Sequence, residues 1–340
     1  MAADTASPST STLAPARRTR RTAVGVLIGV LLVALSVLSL FIGASHDVSL
    51  DGGVNTDGHG VFLLLTSRVP RTIALVLVGA SLGIAGLIMQ MLVRNKFVEP
   101  STTGVTEFGS LGMLAILVFW PGMPVMLQML VVAVFALFGT WVFLRVIRQV
   151  PVRHLVLVPL VGIMLGGVVG AITTFFAYNL DLLQSLGQWA QGSFASVMTG
   201  RYELVWFAAA MVVVAWFAAD RFSVIGMGEE FATNLGLDYR RVVAIGMVVT
   251  AVITAAVLVT AGMLPFLGLV VPNVVSLIIG DNVRRSIPWV AGLGAVFVVA
   301  CDILARTLRH PYEIPLSVIV GVIGAALFLW LLLRRRSRAH

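Results

Sequence analysis

The chain has 340 residues, of which 59% are hydrophobic and only 11% charged. A soluble domain carries roughly 25% charged residues, so this composition excludes an ordinary soluble fold and indicates a protein with many membrane spans. The formal net charge of +8 is explained better by basic residues at the cytoplasmic membrane surface than by nucleic-acid binding. The single cysteine, Cys301, excludes an internal disulfide.

The N-terminal residues 1–22 are rich in Ser, Thr, Ala and Arg, which predicts a disordered, basic tail. The apolar block Val24–Ala44 follows. It is longer than the apolar core of a signal peptide, and this favours a retained first span. The polar loop His46–Gly60 contains several Asp and His residues. A solvated loop is favoured there over a metal site, because nothing fixes a ligand spacing.

Further apolar segments bring the prediction to about ten spans, since a spanning helix needs about 20 residues. They are Thr72–Val93, Ser101–Phe119, Val125–Leu144, Leu155–Ala177, Glu203–Ala219, Val242–Gly262, Pro265–Ile279, Ile287–Ala305 and Pro315–Leu333. With both termini in the cytoplasm, most of the 23 Lys and Arg residues lie inside, as membrane proteins prefer. Residues 23–333 are thus expected to form one transmembrane permease domain, and residues 334–340 a basic cytoplasmic tail.

Few basic residues remain on the predicted outer face, and they run against the positive-inside bias. They are Arg68, Arg71, Arg201, Arg306 and Arg309. In Arg68-Val-Pro-Arg71, the proline suits the first turn of a helix. The two arginines have either of two roles, binding the carboxylates of a partner or reaching lipid phosphates. Asp302 lies four residues before Arg306, an order that favours an ion pair on a helix.

Ionisable residues are rare inside membranes, and the predicted spans of this chain contain only a few ionisable or helix-breaking residues. Glu107 lies early in the third span, where it either lines a pathway or is only paired. Pro265, Gly268 and Pro272 interrupt the eighth span, and such breaks often lie beside a translocation path. Close packing of helices is the alternative explanation for these breaks.

The stretch Gly226–Arg241, GMGEEFATNLGLDYRR, is a polar island between spans. Residues 229–235 predict a short helix that ends at Gly236, a residue suited to the left-handed position after a helix. Asp238 is placed to cap the next helix. The stretch therefore predicts a helix–turn–helix elbow on the cytoplasmic surface, with an ordinary loop as the alternative.

No catalytic pattern is present. Lys96 is the only lysine and no phosphate-binding loop surrounds it. We therefore expect no catalytic residue, cofactor or metal, and any ATP hydrolysis must occur on another chain. An ion-driven secondary transporter is a rival hypothesis, but it needs a relay of ionisable residues, and Glu107 and Asp302 are the main candidates.

Short segments between Arg68 and Leu333 resemble, in order, the permease subunits of type II ABC importers for iron siderophores, haem and vitamin B12. They are RVPR at 68–71, GASLGIAGLIMQ at 79–90, RNKFVEP at 94–100, GEEFATNLGL at 228–237, FLGLVVPN at 266–273, GDNVRR at 280–285, and DILAR with PYEIPLSVIVGVIGAALFLWLLL at 302–333. The resemblance implies an all-α, multi-pass protein of the cytoplasmic (inner) membrane with the fold of vitamin B12 importer permeases.

The resemblance also implies partners and roles. Two permeases form a dimer, cytoplasmic ATPase subunits drive it, and an extracytoplasmic binding protein delivers the cargo. Arg68, Arg71 and Arg306 match positions that dock the binding protein. The elbow matches the helices that couple to the ATPase, and its candidate contacts are Gly228, Glu229, Glu230, Asn234 and Gly236. The pathway and gate candidates are Glu107, His154, Leu155, Pro272 and Asn273.

One subgroup is favoured within this family. Many members have His after the proline of the VVP motif, whereas this chain has Asn273. With Gly280-Asp281-Asn282 and Ser101-Thr-Thr-Gly104, the pattern is similar to permeases for catecholate siderophores of the petrobactin and anguibactin type. That implies a ferric siderophore as cargo and favours a heterodimer over a homodimer. Haem or another iron chelate is the alternative cargo.

Overall fold

The structure is a computed structural model, and almost all of the residues it describes are helical. The backbone is described for residues 14–42, 48–49, 53–54, 59–149, 157–198, 202–309 and 312–336, and the side chains for 23–42, 60–149, 157–198, 202–309 and 312–333. His154, Leu155, Arg201 and most of the loop at 46–60 lie outside the described residues.

Helices α1–α13 follow one another along the chain. Their bounds are α1 Ala14–Phe41, α2 His59–Leu63, α3 Val69–Val93, α4 Val105–Phe119, α5 Val125–Ile147, α6 Leu157–Asn179, α7 Leu183–Ala190, α8 Val205–Ile225, α9 Glu229–Asn234, α10 Tyr239–Ala261, α11 Leu267–Ile279, α12 Val283–Thr307 and α13 Leu316–Arg336. Strands β1 (Val48–Ser49) and β2 (Gly53–Val54) pair antiparallel between α1 and α2.

Three short irregular turns join or precede these helices. A π-helical turn at Leu64–Arg68 links α2 to α3, and 3₁₀ turns at Pro100–Thr103 and Tyr202–Leu204 precede α4 and α8.

The described part of the chain contains 8 helical stretches long and apolar enough to cross a membrane. Two shorter apolar helices, α4 and α11, accompany them. Together they confirm the predicted multi-pass helical fold. The positions of the termini relative to the membrane stay a prediction.

The N-terminal helix begins earlier than predicted. α1 starts at Ala14, so the backbone at 14–22, which was expected to belong to a disordered tail, is helical. Ala and Arg are strong helix formers, and a helix that is already nucleated by an apolar span extends readily into such residues. The end of α8 was also predicted too early, because this helix continues from Ala219 to Ile225.

α3 lies at the centre of the molecule and is buried along most of its length. It packs most extensively against α12, and also against α8, α11 and α10. A Cβ atom on Gly79 would overlap the backbone of Gly294 in α12, and one on Gly86 would overlap the backbone of Gly268 in α11. The absence of side chains at these glycines therefore allows α3 to approach α11 and α12 closely.

The third span is not one continuous helix. Gly104 adopts a left-handed conformation (φ 80°) between the 3₁₀ turn and α4. α4 has 15 residues and α11 has 13, which correspond to about 22 and 20 Å at about 1.5 Å per residue. Both helices are shorter than a hydrocarbon core of about 30 Å. One end of each helix must therefore lie at membrane depth or be extended by irregular chain.

The segment 94–99 provides this irregular chain beside α11. Lys96 Nζ donates to Asp281 at 2.7 Å, just past the C-terminal end of α11. Asn273 Nδ2 donates to the carbonyl of Lys96 at 2.7 Å. The carboxyl oxygen Oε1 of Glu99 accepts a hydrogen bond from the N–H of Phe266, the N-cap of α11, at 2.8 Å. The segment thus runs along the whole length of α11 and does not stay at one surface.

Candidate docking and coupling sites

Two of the outer arginines bind the C-terminal end of α1. Arg68 Nη1 donates to the carbonyl of Leu40 at 2.8 Å. Arg306 Nη1 donates to the carbonyls of Ser39 at 3.1 Å and Ile42 at 2.6 Å. The last carbonyls of a helix have no partner within the helix and carry partial negative charge, so guanidinium groups stabilise them.

Arg71 is held between two acidic side chains. Its Nη2 lies 2.8 Å from Asp302 Oδ1. Its Nη1 and Nη2 donate to the two carboxylate oxygens of Glu313, each at 3.0 Å. The Asp302 side chain is 0% exposed and that of Glu313 is 34% exposed. Arg71 therefore has one acidic partner inside the protein and one at its surface.

The predicted pair between Asp302 and Arg306 is present, with Oδ2 and Nη2 2.7 Å apart. Together with Arg68, Arg71 and Glu313 these residues form one group, which we call the outer cluster. Arg68 and Arg306 are buried and point towards α1. Their docking role stays a prediction, and this conformation gives them a structural role that the sequence did not reveal. Arg71 has a partly exposed acidic partner, Glu313.

The elbow has the predicted helix–turn–helix form. Gly228 precedes α9 with φ 121°, and Gly236 follows it with φ 78°. The N–H of Gly236 donates to the carbonyl of Thr233, and that of Leu237 to Ala232, the pattern that closes a helix after a left-handed residue. Asp238 accepts a hydrogen bond from the N–H of Arg241 at 3.1 Å and caps α10, as predicted.

The exposed side of the elbow combines acidic, amide and apolar groups. Glu229, Glu230 and Asn234 are exposed. Phe231 is 49% exposed and Leu235 is 59% exposed. Exposed large apolar side chains close together on a short helix are typical of a protein-binding surface.

The inner side of the elbow rests on the end of α3. A Cβ atom on Gly228 would lie 3.2 Å from Nη1 of Arg94, and one on Gly226 would lie 2.9 Å from the sulfur of Met91. The elbow is thus in direct contact with the residue that begins the 94–99 segment.

Comparison with known proteins supports this architecture. The model of the FecCD transport family matches residues 30–334. The petrobactin import system permease protein YclN of Bacillus subtilis is 45% identical over 310 residues, which cover 91% of this chain and 98% of that protein. The ferric-anguibactin transport system permease protein FatD of Vibrio anguillarum is 36% identical over 271 residues, covering 80% of this chain and 86% of that protein.

The chain belongs to the FecCD transport family. A solved structure of a metal-chelate type ABC transporter in an inward-facing conformation has the same fold, with a TM-score of 0.77. It is 24% identical in sequence and covers 92% of this chain and 99% of its own. The resemblance inferred from the sequence is therefore confirmed at the level of family and fold. The protein is a multi-pass transport subunit of the cytoplasmic membrane, not an enzyme.

The pathway candidates of this FecCD-family chain lie in two places. Glu107 is partly buried in the first turn of α4 and accepts a hydrogen bond from the Thr106 hydroxyl at 2.9 Å. It lies against Gly166 of α6, where a Cβ atom would be 3.3 Å from its carboxylate. Pro272 and Asn273 are buried inside α11. The structure does not bring Glu107 together with Pro272 and Asn273 into one site.

Glu99 is a residue that the sequence reasoning missed. It is buried at the N-terminus of α11 and accepts hydrogen bonds from the N–H of Phe266 and the hydroxyl of Ser101. A buried carboxyl group at this position accepts hydrogen bonds from N–H groups that the helix cannot satisfy itself. An acid next to Pro100 between two apolar spans was the signal available in the sequence.

Proposed function

We propose that this chain is the permease subunit of an ABC importer that carries a ferric siderophore across the cytoplasmic membrane. The observation that carries the proposal is the 45% identity, over 91% of the chain, to a petrobactin import permease. The 36% identity to a ferric-anguibactin permease supports the same cargo class. Hydrolysis of ATP belongs to a separate subunit.

The elbow is the proposed contact with the ATPase. Its Glu229, Glu230 and Asn234 are exposed, and so are the apolar side chains of Phe231 and Leu235 on the same short stretch. We expect the ATPase to bind the elbow in a cleft. Such a cleft would bury Phe231 and Leu235 and would place basic groups opposite the two acids. Hydrogen bonds from the N–H groups of Gly236 and Leu237 close the end of α9, and Asp238 caps α10, so both elbow helices have defined ends for a partner to bind.

The outer cluster is the proposed docking site for a siderophore-binding protein. Asp302 lies between Arg71 and Arg306, and Glu313 binds Arg71, the least buried of the three arginines. Acidic side chains of the binding protein are the complementary groups. Docking there places the loaded cargo on the outer side, opposite the elbow.

A second permease chain completes the proposed pathway. α6 and α13 expose large apolar side chains, among them Ile163, Phe175, Val322 and Trp330. Such faces contact either lipid or another apolar helix. The resemblance to petrobactin-type and anguibactin-type permeases favours a different chain as the partner. Co-purification of two differently tagged copies of this chain would instead identify a homodimer.

Uptake of ⁵⁵Fe-labelled siderophores by cells that express the complete importer tests the function. We expect uptake of a ferric catecholate or mixed catecholate siderophore that depends on the ATPase subunit. Haem uptake without siderophore uptake would favour the alternative cargo. Uptake that persists after deletion of the ATPase gene would contradict the ABC mechanism.

The elbow is tested in the same assay. The double variant Glu229→Lys with Glu230→Lys should lower uptake at least about tenfold, because like charges then face the basic ATPase surface. The binding protein should still dock. The double variant Glu229→Asp with Glu230→Asp keeps both charges and should transport nearly normally. Normal uptake by the lysine variant would remove the coupling assignment.

A further inference from the structure

Glu313 binds Arg71 in the geometry that a partner carboxylate would use. Both oxygens of Glu313 accept from the two terminal nitrogens of Arg71, each at 3.0 Å. This paired arrangement is the strongest and most directional contact available between guanidinium and carboxylate. Any acidic side chain that approaches Arg71 from outside therefore meets a terminal edge already occupied by Glu313.

The two acidic partners of Arg71 differ in how readily they can leave. Asp302 is fully buried, belongs to α12 and also pairs with Arg306 at 2.7 Å. Removing it would leave two buried cations without their shared anion. Glu313 is partly exposed and lies in the loop before α13. Water can solvate its carboxylate once it leaves Arg71, so Glu313 leaves at a much lower free-energy cost than Asp302.

We infer that Glu313 is an internal stand-in for a carboxylate of the binding protein, and that docking exchanges one for the other on Arg71. This inference rests on the proposed docking function of the outer cluster. Asp302 remains in place throughout and keeps the Arg71 side chain oriented. The exchange involves no net change in the number of charge pairs at Arg71, which makes docking reversible and specific for an acidic partner.

The exchange also has a structural consequence. Glu313 lies between Tyr312 and Ile314 in the loop that leads into α13, and the N–H of Ile314 donates to the carbonyl of Ala305 in α12 at 3.1 Å. Release of Glu313 breaks its hydrogen bonds to Arg71 of α3, whereas the backbone hydrogen bond from Ile314 to Ala305 of α12 remains. Docking on Arg71 therefore loosens the chain at the start of α13.

The test is the affinity of the assembled importer in nanodiscs for the binding protein of the same transport system. Glu313→Gln removes the internal competitor and should tighten binding roughly two- to fivefold, the range that corresponds to one surface ion pair. Asp181→Asn is the matched control, because it removes one exposed acid from another loop of the predicted outer face. It should leave the affinity unchanged.

Each other outcome has a defined meaning. Unchanged or weaker binding by Glu313→Gln overturns the exchange, as does equal tightening by Asp181→Asn, which would indicate only a long-range charge effect. Arg71→Lys keeps the charge but loses the paired geometry, and it should weaken binding in correctly assembled importer. If Arg71→Lys and Arg71→Ala both bind normally, the docking proposal itself fails, separately from the exchange.

Discussion

The carboxylate of Glu99 accepts a hydrogen bond from the backbone N–H of Phe266 at 2.8 Å, across 167 positions of sequence. Phe266 is the N-cap of α11 and has a left-handed backbone (φ 64°), which a bulky residue rarely adopts. The side chain of Gln90 adds a bond to the carbonyl of Gly268 at 3.3 Å. The start of this short helix is thus fixed by α3 and by the segment that follows α3.

Replacing Glu99 by Gln should destabilise the protein. The amide keeps one oxygen, but it replaces the other, which lies beside Gly268 in the first turn of α11, by an NH₂ group that cannot accept a hydrogen bond. We expect a loss of about 1–3 kcal/mol, the usual result of leaving a buried polar group without its partner. Thermal unfolding of the purified protein in nanodiscs measures the loss. Glu230→Gln, at an exposed site, should unfold like the parent protein, and equal stability of both variants would contradict the capping role.

The contact between Gly86 and Gly268 leads to a second prediction. A Cβ atom on Gly86 would overlap the backbone of Gly268, and backbone cannot move aside without separating α3 from α11. Gly86→Ala should therefore strongly reduce the yield of folded protein, measured by size-exclusion chromatography. Gly167→Ala is the matched control in α6, since nothing lies within 4 Å of its added methyl group. Similar yields from the two variants would show that the helices separate easily.

Asp238 provides a local test of the elbow. Its side chain accepts from the N–H of Arg241 at 3.1 Å. Asp238→Ala should cost about 1 kcal/mol of helix stability, whereas Asp238→Asn should retain most of the cap. Hydrogen exchange of the first amides of α10 measures this difference directly. Equal exchange in the alanine and asparagine variants would show that the cap contributes nothing there.

Arg306 should control how firmly α1 is attached. Its guanidinium donates to Ser39 and Ile42 and forms an ion pair with Asp302, and the single ammonium of lysine cannot make all of these contacts. Arg306→Lys should therefore speed hydrogen exchange near the C-terminal end of α1. Arg309→Lys, at an exposed position, serves as the control. Unchanged exchange with Arg306→Lys would assign the attachment of α1 to Arg68 and apolar packing.

The sequence alone determined the features that depend on neighbouring residues. Long apolar segments predicted the membrane helices, because a bilayer demands continuous helical hydrogen bonding. Gly236 and Asp238 predicted the ends of the two elbow helices, because a left-handed residue and a capping carboxylate act within one turn. The order of the motifs also gave the family. The boundaries of α1 and the third span were less accurate, since tertiary contacts determine where a helix ends.

Only the tertiary structure decided which distant polar groups meet. Nothing near Glu99 in the chain points to Phe266, and nothing near Arg71 points to Glu313, because these partners lie far apart in the sequence and meet only when the helices pack. In a low-dielectric interior each buried charge must find such a partner. The sequence thus revealed that the outer arginines were unusual, whereas the fold determined that Arg68 and Arg306 hold α1 and that Arg71 binds Asp302 and Glu313.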